Sequence, residues 1–529
     1  MLPFPEADGN APSVEESSSE KPDQTPSTQA EKRMPSSSTE GFFQSPPQVL
    51  NPLVDDLAIQ SALSLNVPRP FYEQVYPSLK AFGDKVLTKP ILDLVSDAEH
   101  NPPYLKTWDA WGRRKDELIT STGWQQLSAI GQAEGMVSLG YENSHGPLSR
   151  PHMFIKYLVW AGSAAWTTCP NLMTDGVAAL LRKHLSDPKM DGERRRVLQS
   201  AFDRLTSSDP ELAWTTGQWM TERQGGSDVS MTETLAEYAP EMTESEAGMV
   251  ATDGSPLGPW LVNGFKWFSS ATDSQMMVFL ARTPNGISTF MAPMRRKHTS
   301  NHVLSNGETT ELNGVQIQRL KNKLGTRALP TAELVLKDVR SHLIGEEGKG
   351  VKEIATVLNI ARVHNAMTAI GLWGRGLSII RAFARARKVG LKPLWSKPAY
   401  MRMLAKQHVE YRANVLFCTY VASLLGVLEQ PQIEAYCQAT GRTNAGKEAF
   451  PHQPSAGDIK SAETMFRLLA SVLKGLTAKA AIAGLAECME GMGGVGYLEN
   501  DDMQFNIARL YRDANVCSIC KLHQPHCAD

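Results

Sequence analysis

Two changes of texture divide the chain. From about residue 50 to 205, apolar residues return at every third and fourth position. "PFYEQVYPSLKAFGDKVL" and "PHMFIKYLVWAGSAAW" both show the spacing that turns one helix face toward a core. After Thr215 the period shortens. "PWLVNGFKWFSS", "MMVFLARTP", "GISTFMAP", "GVQIQRL" and "AELVLKDV" are β-branched or aromatic runs bounded by Gly, Pro and Asn, which predicts turn-linked strands over residues 215–340. Residues 238–259 and 303–312 read as inserted loops. Helical spacing resumes at Gly350 in "VKEIATVLNIARVHNAMTAIGLWGRGLSIIRAFARAR" and continues in the Ala- and Leu-rich "AETMFRLLASVLKGLTAKAAIAGLAECMEGM". The polar stretch between these, from Leu428 to Lys460, predicts a long loop joining antiparallel helices. The expected class is α+β: a helical domain over 49–214, a β-barrel or sheet domain over 215–340, and a helical bundle over 341–519.

Composition narrows the function. The chain has 529 residues, 42% hydrophobic and 21% charged, the profile of a globular protein of several domains. A net charge of −2 offers no electrostatic footprint for nucleic acid or an anionic membrane, and argues against either partner. Seven scattered cysteines fit a reducing compartment better than a disulfide framework. No unbroken apolar run reaches the roughly 18–20 residues of a membrane span. Residues 1–48, rich in Ser, Pro, Glu and Gln, read as a disordered tail without a signal or transit peptide. A cytoplasmic protein is expected.

The chemistry concentrates in "WMTERQGGSDVSMTET", Trp219 to Thr234. Gly225 and Gly226 let backbone N–H groups approach an anion with no Cβ in the way, and Thr221 and Ser227 add hydroxyls. Taken alone, a Gly-Gly turn is most often a plain loop. About 40 residues later comes "NGFKWFSSATDSQMMVFLAR", and after it "LKNKLGTRALPTAELVLKDVRSHLIGEEGKG", "ARVHNAMTAIG", "RKVGLKPL" and "EGMGGVGYLEN…RLYRD". In that order these resemble the landmarks of the acyl-CoA dehydrogenase family across residues 95–519. "HNPPYLKTWDAWGRR", "TTCPNLMT", the Gln-Gly-Gly of the loop and Glu490 resemble its AidB-like, adaptive-response branch. The resemblance implies the family's order of helical, small β and helical-bundle domains. It also implies an FAD cofactor, an acyl-CoA substrate, and a homo-oligomer, expected to be a tetramer, that shares its flavin sites between subunits. Carried over, Met220, Thr221, Gly225, Gly226 and Ser227 would wrap the flavin and its phosphates, with Trp267 and Ser269 against the ring. Arg387 and the Gly493, Gly494 and Gly496 loop would reach the flavin of a partner subunit, although Gly390-Leu391 replaces the family's Phe-Gly.

The catalytic base is where the chain departs from this pattern. α,β-Dehydrogenation needs a carboxylate to take the α-proton. The family's Glu aligns with Lys521, and the alternative position before Arg362 is Ala361. No catalytic residue is therefore assigned, and impaired dehydrogenase activity is expected. A flavin-binding protective or DNA-associated protein with little such activity is the alternative. The Cys520-Lys521 codons can be read as T-GTAAG, a splice-donor sequence. Residues 520–529 are accordingly expected to be translated intron, with the Trp-Glu-Gly motif that carries the base in most of the family, and any peroxisomal signal, in an omitted exon. A zinc site in Cys517, Cys520, His523, His526 and Cys527 is disfavoured, because two residues between the ligand pairs leave no room for a finger. His364 reads as a satisfied helix residue rather than a catalyst.

Overall fold

The computed structural model describes residues 45–226, 228–300, 308–429 and 456–519. The expected disordered tail lies, up to residue 44, outside the described residues, as do most of the loop predicted after Leu428 and the segment 520–529.

The chain enters through α1 (Leu57–Asn66), α2 (Arg69–Lys85) and α3 (Lys89–His100). Asp56 caps α1 by accepting the N–H of Ala58 at 2.9 Å and of Ile59 at 3.2 Å, two donors the helix cannot pair itself. A hairpin of β1 (Tyr104–Trp108) and β2 (Arg114–Ile119) follows, interrupting the expected helical domain. One face of it packs Leu105 and Leu118 on the sheet domain, and Asp116 accepts the N–H of Ile317 at 3.1 Å. Helices α4 (Thr122–Ala133), α5 (Ser149–Ala161), α6 (Thr168–Leu185) and α7 (Gly192–Leu205) complete this part.

The middle strands are β3 (Thr216–Trp219), β4 (Leu235–Tyr238), β5 (Met249–Ala251), β6 (Trp260–Ser270), β7 (Met276–Thr283), β8 (Gly286–Pro293), β9 (Arg295–His298), β10 (Glu311–Leu312), β11 (Val315–Leu320) and β12 (Thr331–Ile344). The larger sheet runs β11-β12-β6-β4-β7-β3, and β8 pairs with both β12 and β7. A smaller sheet, β10-β9-β5, draws strands from both stretches expected to be inserted loops. The unbroken apolar run of β7 has a direct cause. Met276, Val278 and Leu280 pack toward α6 and α7, while Met277, Phe279 and Ala281 fill the core of the sheet domain. Alternating side chains thus bury both faces of one strand.

The C-terminal part holds α8 (Gly350–Ala386), α9 (Pro398–Glu429), α10 (Ala456–Gly491) and α11 (Ile507–Ile519). Gly484 on α10 abuts Trp373 so closely that a Cβ would fall 2.1 Å from the indole. Gly376 faces Leu485, and Gly491 faces Ile380, so α8 and α10 run side by side in the same direction. Both α9 and α10 are long and apolar enough to cross a bilayer by length and composition, a property the search for an unbroken apolar run passed over. Here they bury Leu404, Tyr411, Val415, Ala470, Leu473 and Leu485 in the same core as α8.

Candidate functional site

The loop that follows β3 is anchored before any ligand is considered. Trp219 is fully buried and its Nε1 donates to the Ser270 carbonyl at 3.0 Å. The Trp267 N–H donates to the Thr221 carbonyl at 2.8 Å, tying the loop to β6. Between them lies a buried ion pair. Glu222 takes Lys266 Nζ at 2.6 Å, Thr234 Oγ1 at 2.6 Å and the Glu233 N–H at 2.5 Å, while Lys266 also donates to the Leu280 carbonyl at 2.9 Å. Burial pulls the Lys266 ammonium below its ordinary range. Burial would raise Glu222, but Lys266 and the other donors outweigh it and hold the carboxyl below the usual carboxylate range.

Beyond Glu222 the chain makes a tight turn, Glu222 and Gly225 exchanging backbone hydrogen bonds at 3.1 and 3.4 Å. Gly225 sits at φ +132, a conformation only glycine adopts without strain, and a Cβ there would meet open space. Gly226 is half-buried beside it, Ser227 lies outside the described residues, and the Asp228 carboxylate is spent on the N–H of Ser230.

Two hydroxyls break the accounting of this region. Thr221 Oγ1 and Ser269 Oγ are both buried, and neither has a hydrogen-bond partner. A buried polar group left unpaired costs about 1–3 kcal/mol, so such atoms mark places where a ligand completes the structure. Met220 is buried just before Thr221. Trp267 is half-buried, with Lys321 Nζ 3.4 Å from its ring centroid. Phe268, passed over in the sequence, is 50% exposed in mid-strand, edge-on to Trp267 at 6.1 Å. An indole, an exposed phenyl face, two unpaired hydroxyls and a glycine turn fit a flat ring with polar edges followed by phosphates. FAD meets that description.

The second group of expected residues lies in another layer. Arg387 ends α8 in extended conformation, its N–H donating to the Phe383 carbonyl at 2.8 Å. Gly493 and Gly494 are exposed, with open space where a Cβ would stand. Gly496 is packed against the Met489 carbonyl. Because α8 and α10 run in the same direction, the Arg387 turn and the Gly493–Tyr497 turn emerge at one end of the bundle. That end exposes apolar side chains among basic ones, with Leu391 97% and Tyr497 80% exposed.

Ala361 is fully buried on α8 and carries no titratable group; Lys521 lies outside the described residues. His364 is only half satisfied: its Nε2 lies 2.6 Å from Asp175 Oδ2 in a buried network with Arg150, while its buried Nδ1 has no hydrogen-bond partner. Among the described residues no cluster of three or more His, Cys, Asp or Glu could hold a metal ion.

Three family descriptions match the chain: "Adaptive response protein AidB N-terminal domain" over residues 45–204, "Acyl-CoA dehydrogenase, middle domain" over 217–339, and "Acyl-CoA dehydrogenase, C-terminal domain" over 348–440. The chain is 35% identical over 492 residues to acyl-CoA dehydrogenase family member 11 of Caenorhabditis elegans, covering 91% of this chain and 70% of that protein. It is 26% identical over 445 residues to the putative acyl-CoA dehydrogenase AidB of Escherichia coli, covering 83% of this chain and 70% of that one. The solved structure of C. elegans ACDH-11 in complex with C11-CoA superposes with a TM-score of 0.74 at 32% identity, covering 93% of this chain and 75% of that one.

Proposed function

From the premise that the chain belongs to the acyl-CoA dehydrogenase family, with an AidB-type N-terminal domain, we propose that it binds FAD between the β3 loop and β6 and takes an acyl-CoA thioester as its ligand. The observation that carries this reading is the pair of buried, unpartnered hydroxyls, Thr221 Oγ1 and Ser269 Oγ, beside the half-buried Trp267. When bound, the flavin supplies an acceptor for the hydride lost from the acyl chain. Thr221 and Ser269 would hydrogen-bond the ring edge and fix its plane, Trp267 and Phe268 would shield it from water, and Gly225 and Gly226 would let phosphate approach the turn with no Cβ in the way. The C11-CoA bound by the C. elegans relative supports the acyl-CoA ligand class.

Proton removal is the weak step. Ala361 offers no acceptor, and a lysine at 521 is a cation at neutral pH in its ordinary state. We therefore propose slow dehydrogenation by this chain. The exposed apolar surface around Leu391, Tyr497, Arg387 and the Gly493 turn supports a homo-oligomer, a tetramer by family resemblance, in which that end meets a partner subunit.

The test is the visible absorption spectrum of the purified protein, followed by anaerobic titration with acyl-CoA. A flavin band that bleaches supports the oxidoreductase reading. A stable band without bleaching, together with salt-dependent DNA binding, supports instead the protective, DNA-associated role, which the match of residues 45–204 to the AidB N-terminal domain favours. Colourless protein overturns both. Light scattering checks the oligomer.

A further inference from the structure

The strand that carries Trp267 is irregular at that residue. Along β6 and β12, Ser269 stands opposite Ala332 and Lys266 opposite Leu334, so Trp267 and Phe268 together face the single residue Glu333. Two residues against one make a β-bulge, a device that re-aims side chains beside functional sites. Both rings meet one cation. Lys321 Nζ lies 3.4 Å from the centre of the Trp267 ring and 4.8 Å from that of Phe268. An ammonium over an aromatic face is attracted by the negative face of the ring, and tryptophan is the strongest of the aromatic partners.

Three strands hold that ammonium in place. Lys321 directly follows β11, and its N–H donates to the Thr331 carbonyl at the start of β12 at 2.7 Å. Glu333 of β12 accepts Lys321 Nζ at 2.5 Å and Arg319 Nε of β11 at 2.7 Å. One carboxylate thus answers two cations, and one positive charge is left over. Arg319 has 66% of its side chain in water, which screens it, whereas the Lys321 side chain is 14% exposed. The charge that solvent does not screen is the one on Trp267.

Trp267 belongs to the candidate flavin site: the Thr221 carbonyl takes its N–H, and Ser269, with the unpaired hydroxyl, is two residues on. We propose that Lys321 is a positioning residue for the flavin, keeping one fixed positive charge on the Trp267 indole so that the protein holds reduced flavin more tightly than oxidised flavin. The inference rests on the FAD reading above. The oxidised ring is neutral, and the two-electron reduced ring carries a negative charge at neutral pH. A fixed cation at the site therefore favours the reduced form and raises the reduction potential, which is a lever the protein supplies and the cofactor does not. Seated by Glu333 in advance, the charge needs no rearrangement when the ring is reduced.

The experiment is a reductive titration of the FAD-loaded, full-length protein against a redox dye, which gives the flavin midpoint potential. Lys321→Gln keeps a hydrogen-bond donor for Glu333 and removes the charge. It should weaken the preference for reduced flavin about tenfold, which lowers the midpoint by about 30 mV for a two-electron couple. Lys321→Met, a second neutral form, should fall by the same amount. Lys321→Arg keeps the charge, stacks on an indole as well, and should stay near the wild type. Arg319→Gln removes the other cation on Glu333, the one in water, and should leave the midpoint in place. Equal midpoints in the wild type and the neutral variants overturn the proposal. A fall of the same size in Lys321→Arg or in Arg319→Gln overturns it as well, because packing or net charge then accounts for the effect. Wild-type protein that takes up no FAD defeats the parent reading instead, which keeps the two failures distinct.

Discussion

Lys266 Nζ and Glu222 Oε1 lie 2.6 Å apart with both side chains sealed from water, joining the centre of β6 to the loop that follows β3. Neither charge is affordable alone. Removing one partner of a buried pair typically costs about 3–5 kcal/mol, because the other is left uncompensated in a low-dielectric interior. Glu222→Gln should lose stability of that order in denaturant unfolding. The double variant Glu222→Gln/Lys266→Met should recover much of it, because the stranded ammonium is gone. A double variant as unstable as Glu222→Gln alone would show that the acid acts through Thr234 and Glu233 rather than through the lysine.

Thr221 and Ser269 make the opposite prediction. Their hydroxyls do nothing for the protein by itself, since no protein group pairs with either. Thr221→Val and Ser269→Ala should leave the apo-protein as stable as before, or slightly more so, as each removes an unsatisfied buried group. Flavin affinity should weaken by about 0.5–1.5 kcal/mol per hydroxyl, read from fluorescence quenching on titration. Unchanged affinity with lowered apo stability would mean that these hydroxyls belong to the protein's own hydrogen bonding.

The contrast between those pairs shows what the sequence discloses. The order of helical, sheet and helical parts was legible because period 3.6 and period 2 differ over long stretches. The β3 loop was singled out by its context, because a Gly-Gly turn alone is most often a plain loop and the Lys-Trp strand about 40 residues later set this one apart. The β1–β2 hairpin was not legible: its inward face mixes Leu105 and Leu118 with the polar Thr107, Arg114 and Asp116, while Tyr104, Trp108 and Trp111 are left exposed, so it lacks an apolar-in, polar-out alternation. Phe268 was missed because its neighbour Trp267 is the larger ring, and no pattern tells which of two adjacent strand aromatics stays open. Unpaired hydroxyls such as Thr221 Oγ1 and Ser269 Oγ become visible only when the surrounding elements are in place. Burial makes them informative, and burial is a tertiary property.

Arg340 is another heavily committed cation of the sheet domain. Fully buried, it gives Nε to Glu246 Oε1 at 2.8 Å and Nη2 to Glu246 Oε2 at 2.6 Å, a two-point pairing that suits a guanidinium. Those bonds from Arg340, ahead of the effect of burial, hold the Glu246 carboxyl down to about 2 from its ordinary 4.5. A depressed carboxyl contributes stability that is complete above the ordinary value and disappears as pH falls through the depressed one. Glu246→Gln should therefore cost about 3–5 kcal/mol at neutral pH and much less near pH 2. A cost independent of pH would assign the effect to the Thr243 turn that Glu246 also closes.

Acid should act first on the histidines. His152 is buried edge-on to His145 at 5.2 Å and to Phe71 at 6.0 Å. Burial, then the charges of His145 and Lys156, push its imidazole from 6.5 down to about 3. The folded state thus holds it neutral where the unfolded chain takes up a proton. Its contribution is complete above pH 6.5 and is lost progressively as pH falls toward 3. Burial also depresses His145 and His364, and carries His408 to about 4, so the loss is shared. The melting temperature of the wild type should decline as pH drops below 6.5, well before Glu246 titrates. His152→Phe keeps an aromatic ring of similar size and removes one proton-binding site from the unfolded chain. Its melting curve should be flatter over that window and converge with the wild type nearer neutrality. An unchanged slope would mean that His152 is protonated in the folded protein, with a counter-charge drawn to the His145 side of the ring.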